Sequence, residues 1–237
     1  MPESATARRV RCAEIADALA RVYPDAHCEL NHRNAFELLI ATILSAQCTD
    51  KRVNLVTPAL FRAYPTPAAM AAAPRPEIER LVQSTGFFRA KARSIQEASA
   101  DLATLHNGEV PAEMAALIKL RGVGRKTANV VLGNAFGMDS GVVVDTHVAR
   151  LSKRLGLTKH SDPVKIEQDL IKLVPLSKWT LWSHWLIFHG RRRCDARKPD
   201  CARCEITVLC PSAFKVLPNK NNSASARKPL QGSNSAS

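Results

Sequence analysis

The sequence predicts an all-α protein, and three observations carry that prediction. Ala is abundant while Gly supplies only 10 of 237 residues, a balance that favours helix. The 14 Pro mostly fall between apolar-periodic stretches, where they act as punctuation. The single β-like run, GVVVDTHV from residue 141, has no second run to pair with. With 46% hydrophobic and 23% charged residues, a chain of this length can bury one or two real cores, which excludes wholesale disorder, collagen-like repeats and a fibrous coil.

Each element follows from its local pattern. Residues 5–22 read as an amphipathic helix stopped before Pro24, and residues 35–44 (AFELLIATIL), apolar nearly all round, as a central buried helix ending in SAQCTD. Further helices are expected over 51–63, 76–84, 91–106 and 112–120, the third stopped by Asn107-Gly108, a pair suited to left-handed backbone. A Gly-Val-Gly turn then leads into a helix running to about Phe136. The valines at 142–144 form an extended connection, and Asp145 or Thr146 caps a helix over 148–155. Helices over 166–173 and 180–189 complete the series, and beyond Phe214 the run is too polar and low in complexity to bury anything.

Charge narrows the function. Lys and Arg number 34 against 21 Asp and Glu, for a net +13 and an isoelectric point near 9.8. Only three of these charges (Lys220, Arg227, Lys228) sit in the terminal run, so the body itself is basic and suits a polyanion, nucleic acid above an anionic membrane. No run of eighteen uncharged apolar residues occurs, and the charged start leaves no room for a signal-sequence core, which predicts a cytoplasmic protein. Seven Cys in that compartment are expected as buried thiols or metal ligands rather than disulfides, and four of them fall within seventeen residues.

Around LRGVGRKTA, Gly122 and Gly124 permit a tight turn and let backbone N–H groups point outward at a helix N-terminus, where a phosphate oxygen fits. Val123 would point inward to hold the two helices, and Arg125 and Lys126 add positive charge. Such a hairpin grips a DNA backbone without reading bases. An ordinary glycine-capped turn is the plainer alternative.

The segments LRGVGRKTANVVLGNAFG and VDTHVARLSKRLG, together with LLIATILSAQCTD, HNGEVP, HWLIFHGRRRC and the terminal cysteine pattern, resemble bacterial endonuclease III over about residues 35–212. That family comprises helix-hairpin-helix DNA glycosylases with abasic-site lyase activity. The resemblance implies a two-domain helical fold: a six-helix domain with the hairpin over 28–141, and a second domain in which the N-terminal helix (1–27) packs with 142–212. Residues 213–237 would be a disordered tail. Double-stranded DNA carrying damaged bases or abasic sites would lie in the cleft of a monomer, and the protein would work at the nucleoid.

The resemblance also assigns roles. Lys126 stands where the helix N-terminus and Arg125 disfavour an ammonium, and it matches the lysine that attacks the sugar and forms a Schiff base; a phosphate anchor is the plain alternative. Asp145 matches the carboxylate that stabilises positive charge on the sugar, and it also suits a helix N-cap. Gln47 matches the residue that fills the gap left by the extruded base. Phe87 stands where the family often has a leucine that wedges into the opposite strand, although one of Phe87 and Phe88 should point into the core. His147 matches a pocket-lining position. Arg121 departs from the proline common before the first hairpin glycine.

Cys194, Cys201, Cys204 and Cys210 make C-x6-C-x2-C-x5-C, four thiolates able to surround one metal centre; spacing alone leaves zinc and an iron-sulfur cluster both open. The resemblance implies a structural [4Fe-4S] cluster, with Arg191, Arg192, Arg193, Arg197, Lys198 and Arg203 offering a basic loop to DNA phosphates. Three competing functions are weaker. An adenine glycosylase relative would lack Lys126 and carry an extra domain, a non-catalytic damage-binding module would not need Lys126 and Asp145, and a two-metal nuclease would need a carboxylate cluster.

Overall fold

The computed structural model describes residues 3–215, so most of the expected tail lies outside the described residues. Among these residues the chain forms helices and no strand. Helix α1 (Ala5–Val22) is capped by Ser4, whose hydroxyl accepts from Ala7 N, and it buries Cys12, Ile15, Ala16 and Leu19 at helical spacing. Helix α2 (Ala35–Leu44), capped by Asn34, buries every residue from Phe36 to Leu44, as its unbroken apolar sequence requires. Then follow α3 (Asp50–Ala63), α4 (Pro67–Ala72), α5 (Arg75–Val82), α6 (Phe88–Leu105) and α7 (Met114–Leu117). Helices α8 (Arg125–Ala135), α9 (Thr146–Arg154), α10 (Pro163–Leu170) and α11 (Trp179–Arg192) complete the set.

Two hydrophobic cores result. One spans Leu30 to Leu132 and is built by α2 to α8, with α2 against α3, α6 and α8. The other joins α1 to the chain from Val142 to Ile206, with α11 at its centre burying Trp182, Trp185, Leu186 and Phe188 against α1 and α9. The chain thus leaves its first helix in one core, builds the other, and returns.

Several elements differ from the sequence expectation. Helix α4 lies in PTPAAMAAA, between the helices expected over 51–63 and 76–84; Thr66 caps it and Pro67 occupies its first turn, where a missing N–H costs nothing. Helix α7 is a single turn rather than residues 112–120, because the chain already bends toward the hairpin at Ile118. The first core therefore draws on seven α-helices among the described residues, α2 to α8. Helices α6 and α10 start three residues earlier than expected; Asp162 and Pro163 open α10 in the usual cap-and-proline order. Asn107 (φ 53°) and Gly108 (φ 79°) are left-handed and end α6, as their identities predict.

The valine run is extended and unpaired, and its side chains alternate. Val142 and Val144 enter the second core, whereas Val143 and Asp145 line the space between the cores. The Val143 N–H is satisfied by Ser183 Oγ at 2.9 Å.

Candidate active site

The space between the two cores is a cleft of about 1030 Å³. Gln47, Asp50, Lys126, Asp145, His147 and Arg191 all line it, which brings five of the sequence-selected residues to one site. Lys126 arrives through the hairpin. Gly122 has φ 78° and sits so close to α6 that a side chain there would press on Ser94; Val123 is buried; Gly124 caps α8. Lys126 is then the second residue of α8, exposed at the helix N-terminus.

Asp145 arrives from the other side. It is the N-cap of α9, with Oδ1 accepting from Val148 N at 2.8 Å, so capping and a place in the cleft coexist in one carboxylate. His147 Nδ1 lies 3.2 Å from the Arg150 guanidinium and fits against the Cα of Gly190, where a Cβ would collide with it.

Three acidic groups were not singled out from the sequence. Asp50, first residue of α3, faces Lys126, Asp145 and His147; burial pushes its carboxyl up, opposed by the Lys126 charge and aided by that of Asp145. It pairs with Arg191 at 3.0 Å, and Glu29 pairs with the same guanidinium. Arg191 therefore bridges the cleft wall rather than projecting from the cysteine loop. Glu167 of α10 takes a bidentate pair from Arg125 at 2.8 and 3.0 Å. In sequence, Asp50 looks like any first-turn helix acid and Glu167 like any surface helix acid, so only their packing distinguishes them.

Gln47 and Phe87 share a backbone signature. Both are non-Gly residues in the left-handed region, at φ 52° and 47°, in loops beside the cleft and before α6 respectively. Phe87 is 69% exposed, whereas Phe88 packs against the first core. The loop that carries Phe87 is tied down by buried Lys91, whose ammonium donates to Thr85 O at 2.7 Å.

The four clustered thiols line one small apolar cavity with Leu151, His189, Pro199 and Ile206. Burial raises the pKa of Cys204 and Cys210. Arg154 donates to Cys194 Sγ at 3.1 Å, and the buried His189 places Nε2 3.5 Å from Cys204 Sγ and Nδ1 3.1 Å from the Tyr23 hydroxyl. Among the described residues no three His, Cys, Asp or Glu converge closely enough to hold a single metal ion. Four cysteine sulfurs lining one cavity are suitable donors for a metal centre, and a tetrahedral zinc and an iron-sulfur cluster both accept such a set. Of the basic residues beside the thiols, Arg193 and Arg203 pair with Asp200, Arg193 also with Glu205, and Arg192 stacks on Phe188. Arg197 and Lys198 remain exposed on the loop.

Comparison with known proteins agrees with this geometry. Residues 40–176 match the family model described as HhH-GPD superfamily base excision DNA repair protein. Endonuclease III of a Synechocystis species is 55% identical over 206 residues, covering 87% of this chain and 94% of that protein. Among solved structures, a non-covalent endonuclease III–DNA complex superposes with TM-score 0.82 and 48% identity, over 87% of this chain and 97% of that one. A trapped endonuclease III–DNA covalent intermediate, an estranged-adenine complex, matches with the same TM-score, identity and coverage. With a family model spanning more than half its length and a relative 55% identical over 87% of it, the chain belongs to the HhH-GPD superfamily of base excision DNA repair proteins and, within it, to the endonuclease III family.

Proposed function

We propose that the protein is a bifunctional DNA glycosylase that removes oxidised pyrimidines from duplex DNA and cleaves the strand 3′ to the resulting abasic site. The observation that carries this reading is the convergence of Lys126 and Asp145 on one interdomain cleft from two different helix N-termini. A cleft of about 1030 Å³ is large enough for an extruded nucleotide. In this reading the two cores are two domains, one over residues 28–141 and one formed by 1–27 with 142–212, and DNA lies across their junction.

The chemistry follows from the groups present. Lys126, as free amine, attacks the sugar carbon bearing the damaged base; the carbon–base bond breaks and its electron pair leaves with the base, which takes up a proton. The sugar ring opens to an imine linking Lys126 Nζ to that carbon. Loss of a proton from the adjacent sugar carbon expels the 3′ phosphate by β-elimination, and water releases the lysine. Asp145 stabilises the positive charge that builds on the sugar; its capping bond to Val148 N fixes the carboxylate in place. Gln47 fills the gap in the helix and Phe87 wedges into the opposite strand, roles supported by their strained, cleft-side or exposed positions. Gly122, Gly124 and His147 contact the sugar-phosphate chain around the lesion. In this reading the protein works in the cytoplasm, at the nucleoid, where its DNA substrate would be.

Cys194, Cys201, Cys204 and Cys210 would hold a [4Fe-4S] cluster, which when bound supplies a cross-link of the loop over residues 194–210 and a charge centre rather than a reaction step. The experiment that tests the function is borohydride trapping on two labelled duplexes, one with an oxidised pyrimidine and one with a pre-formed abasic site. A Lys126-dependent adduct on both supports the bifunctional enzyme; adduct on neither reduces the protein to a damage-binding module.

A further inference from the structure

Arg125 and Lys126 are neighbours at the start of α8, but they serve different surroundings. Arg125 gives both its Nε and one terminal nitrogen to Glu167, a carboxylate only 5% exposed on α10 of the other core. The same Glu167 Oε1 accepts from Asn129 Nδ2 at 3.0 Å, one helical turn along α8. Asn129 Oδ1 in turn accepts from Ser140 Oγ at 3.0 Å, in the chain that leads to Asp145. Gly141 lies directly on this cluster; a Cβ there would overlap both Glu167 Oε1 and the Asn129 amide. The network therefore joins the lysine-bearing helix, the aspartate-bearing segment and α10 at one buried point.

We infer that Glu167 is a positioning residue for the excision reaction: by holding Arg125 and Asn129 of α8 to α10, with Asn129 bonded in turn to the Ser140 hydroxyl and Gly141 packed on the cluster, it fixes Lys126 relative to Asp145 across the cleft. This rests on the catalytic reading of those two residues. The physical basis is the geometry of the clamp. A bidentate guanidinium–carboxylate pair resists rotation as well as separation, and a buried carboxylate that lost its partners would be strongly destabilised. Arg125 is correspondingly held by a protein carboxylate. Leaving it for a DNA phosphate would strand Glu167, so its charge serves the clamp rather than phosphate binding.

The test measures single-turnover base excision at saturating DNA, the rate of borohydride trapping, DNA affinity on an uncleavable abasic analogue, and melting temperature. For Glu167→Gln the expected result is a 10- to 100-fold loss, to order of magnitude, in both rates, as for roughly 1 Å of misplacement, with affinity within about twofold of wild type. Arg125→Gln removes the cation from the half-exposed side of the pair, leaves Glu167 short of a partner, and should melt lower while showing the same loss in both rates. Gly141→Ala attacks the cluster from the backbone side and should share the phenotype. A lower melting temperature with unchanged rates makes Glu167 merely structural and overturns the inference. Tighter DNA binding by Glu167→Gln, or weaker binding by Arg125→Gln with an unchanged saturated rate, makes Arg125 a phosphate anchor and also overturns it. A wild-type protein that forms no adduct, with Lys126→Gln as control, overturns the catalytic reading instead.

Discussion

Lys126 and Asp145 face one cleft from the N-termini of two helices that belong to different hydrophobic cores. Both stand at the positive end of a helix dipole. An amine and a carboxylate on facing sides of one cleft are the two groups that the proposed amine attack uses, one as nucleophile and one to stabilise the charge that builds on the sugar.

Lys126→Gln should abolish base excision and strand cleavage together, and should remove the borohydride adduct on both duplexes. Because Lys126 is exposed, the melting temperature should stay within about 2 °C of wild type, as expected of a surface substitution. Turnover by this variant at the wild-type rate would refute the nucleophile assignment.

Asp145 separates its two roles through two substitutions. Asp145→Asn keeps an N-cap acceptor for Val148 N, so stability should hardly change while excision falls by two or more orders of magnitude, roughly the loss seen for a removed oxyanion-type stabiliser. Asp145→Ala loses the cap as well and should melt lower, by about 1 kcal/mol of stability. Equal activity of Asp145→Asn and wild type would leave Asp145 a cap alone.

Phe87 and Phe88 should behave oppositely. Phe87→Ala removes an exposed ring and should leave stability unchanged while slowing excision from fully paired duplex more than from an unpaired or mismatched site, where unstacking is already cheap. Phe88→Ala removes a ring packed on the first core and should cost roughly 2 kcal/mol, less than the 3–5 of a fully buried aromatic. Thermal melts with gel assays on matched and mismatched duplexes decide between them.

The cysteine loop predicts a brown protein containing iron and sulfide. Cys204→Ala should lose that absorbance and expose the 194–210 loop to proteolysis, because the second core reaches Ile206 through it. Colourless wild-type protein with one equivalent of zinc would exclude the cluster.

Acid should destabilise the junction of α11 with α8 through His184. Burial, aided by the charge of His27, depresses its imidazole from 6.5 to about 4, and its Nε2 hydrogen-bonds Asn134 Oδ1 at 2.8 Å. A lowered folded pKa favours the neutral form, so this stabilisation is complete above pH 6.5 and is lost progressively as the pH falls toward 4, by at most about 3 kcal/mol. Denaturant melts from pH 7 to pH 4 should show that slope, and His184→Gln should flatten part of it.

How much of this was legible in the chain can be judged residue by residue. Apolar periodicity and caps marked most of the helices, α1 and α2 to the residue, since those signals are local. Helix α4 has no such signal, because fewer than two turns of small residues and proline carry no long apolar stripe; its packing on α6 holds it as a helix. The hairpin glycines, Lys126 and Asp145 stand out in the chain because their segments resemble endonuclease III, and the four clustered thiols because their spacing suits a metal centre. Tertiary structure alone decided the rest: that Phe87 rather than Phe88 is exposed, that Asp50 joins the cleft, and that Arg191 and Arg125 spend their charge on Glu29, Asp50 and Glu167. Charge composition reports how many cations a chain has, whereas their partners come from residues up to 162 positions away in sequence and exist only once the two cores meet.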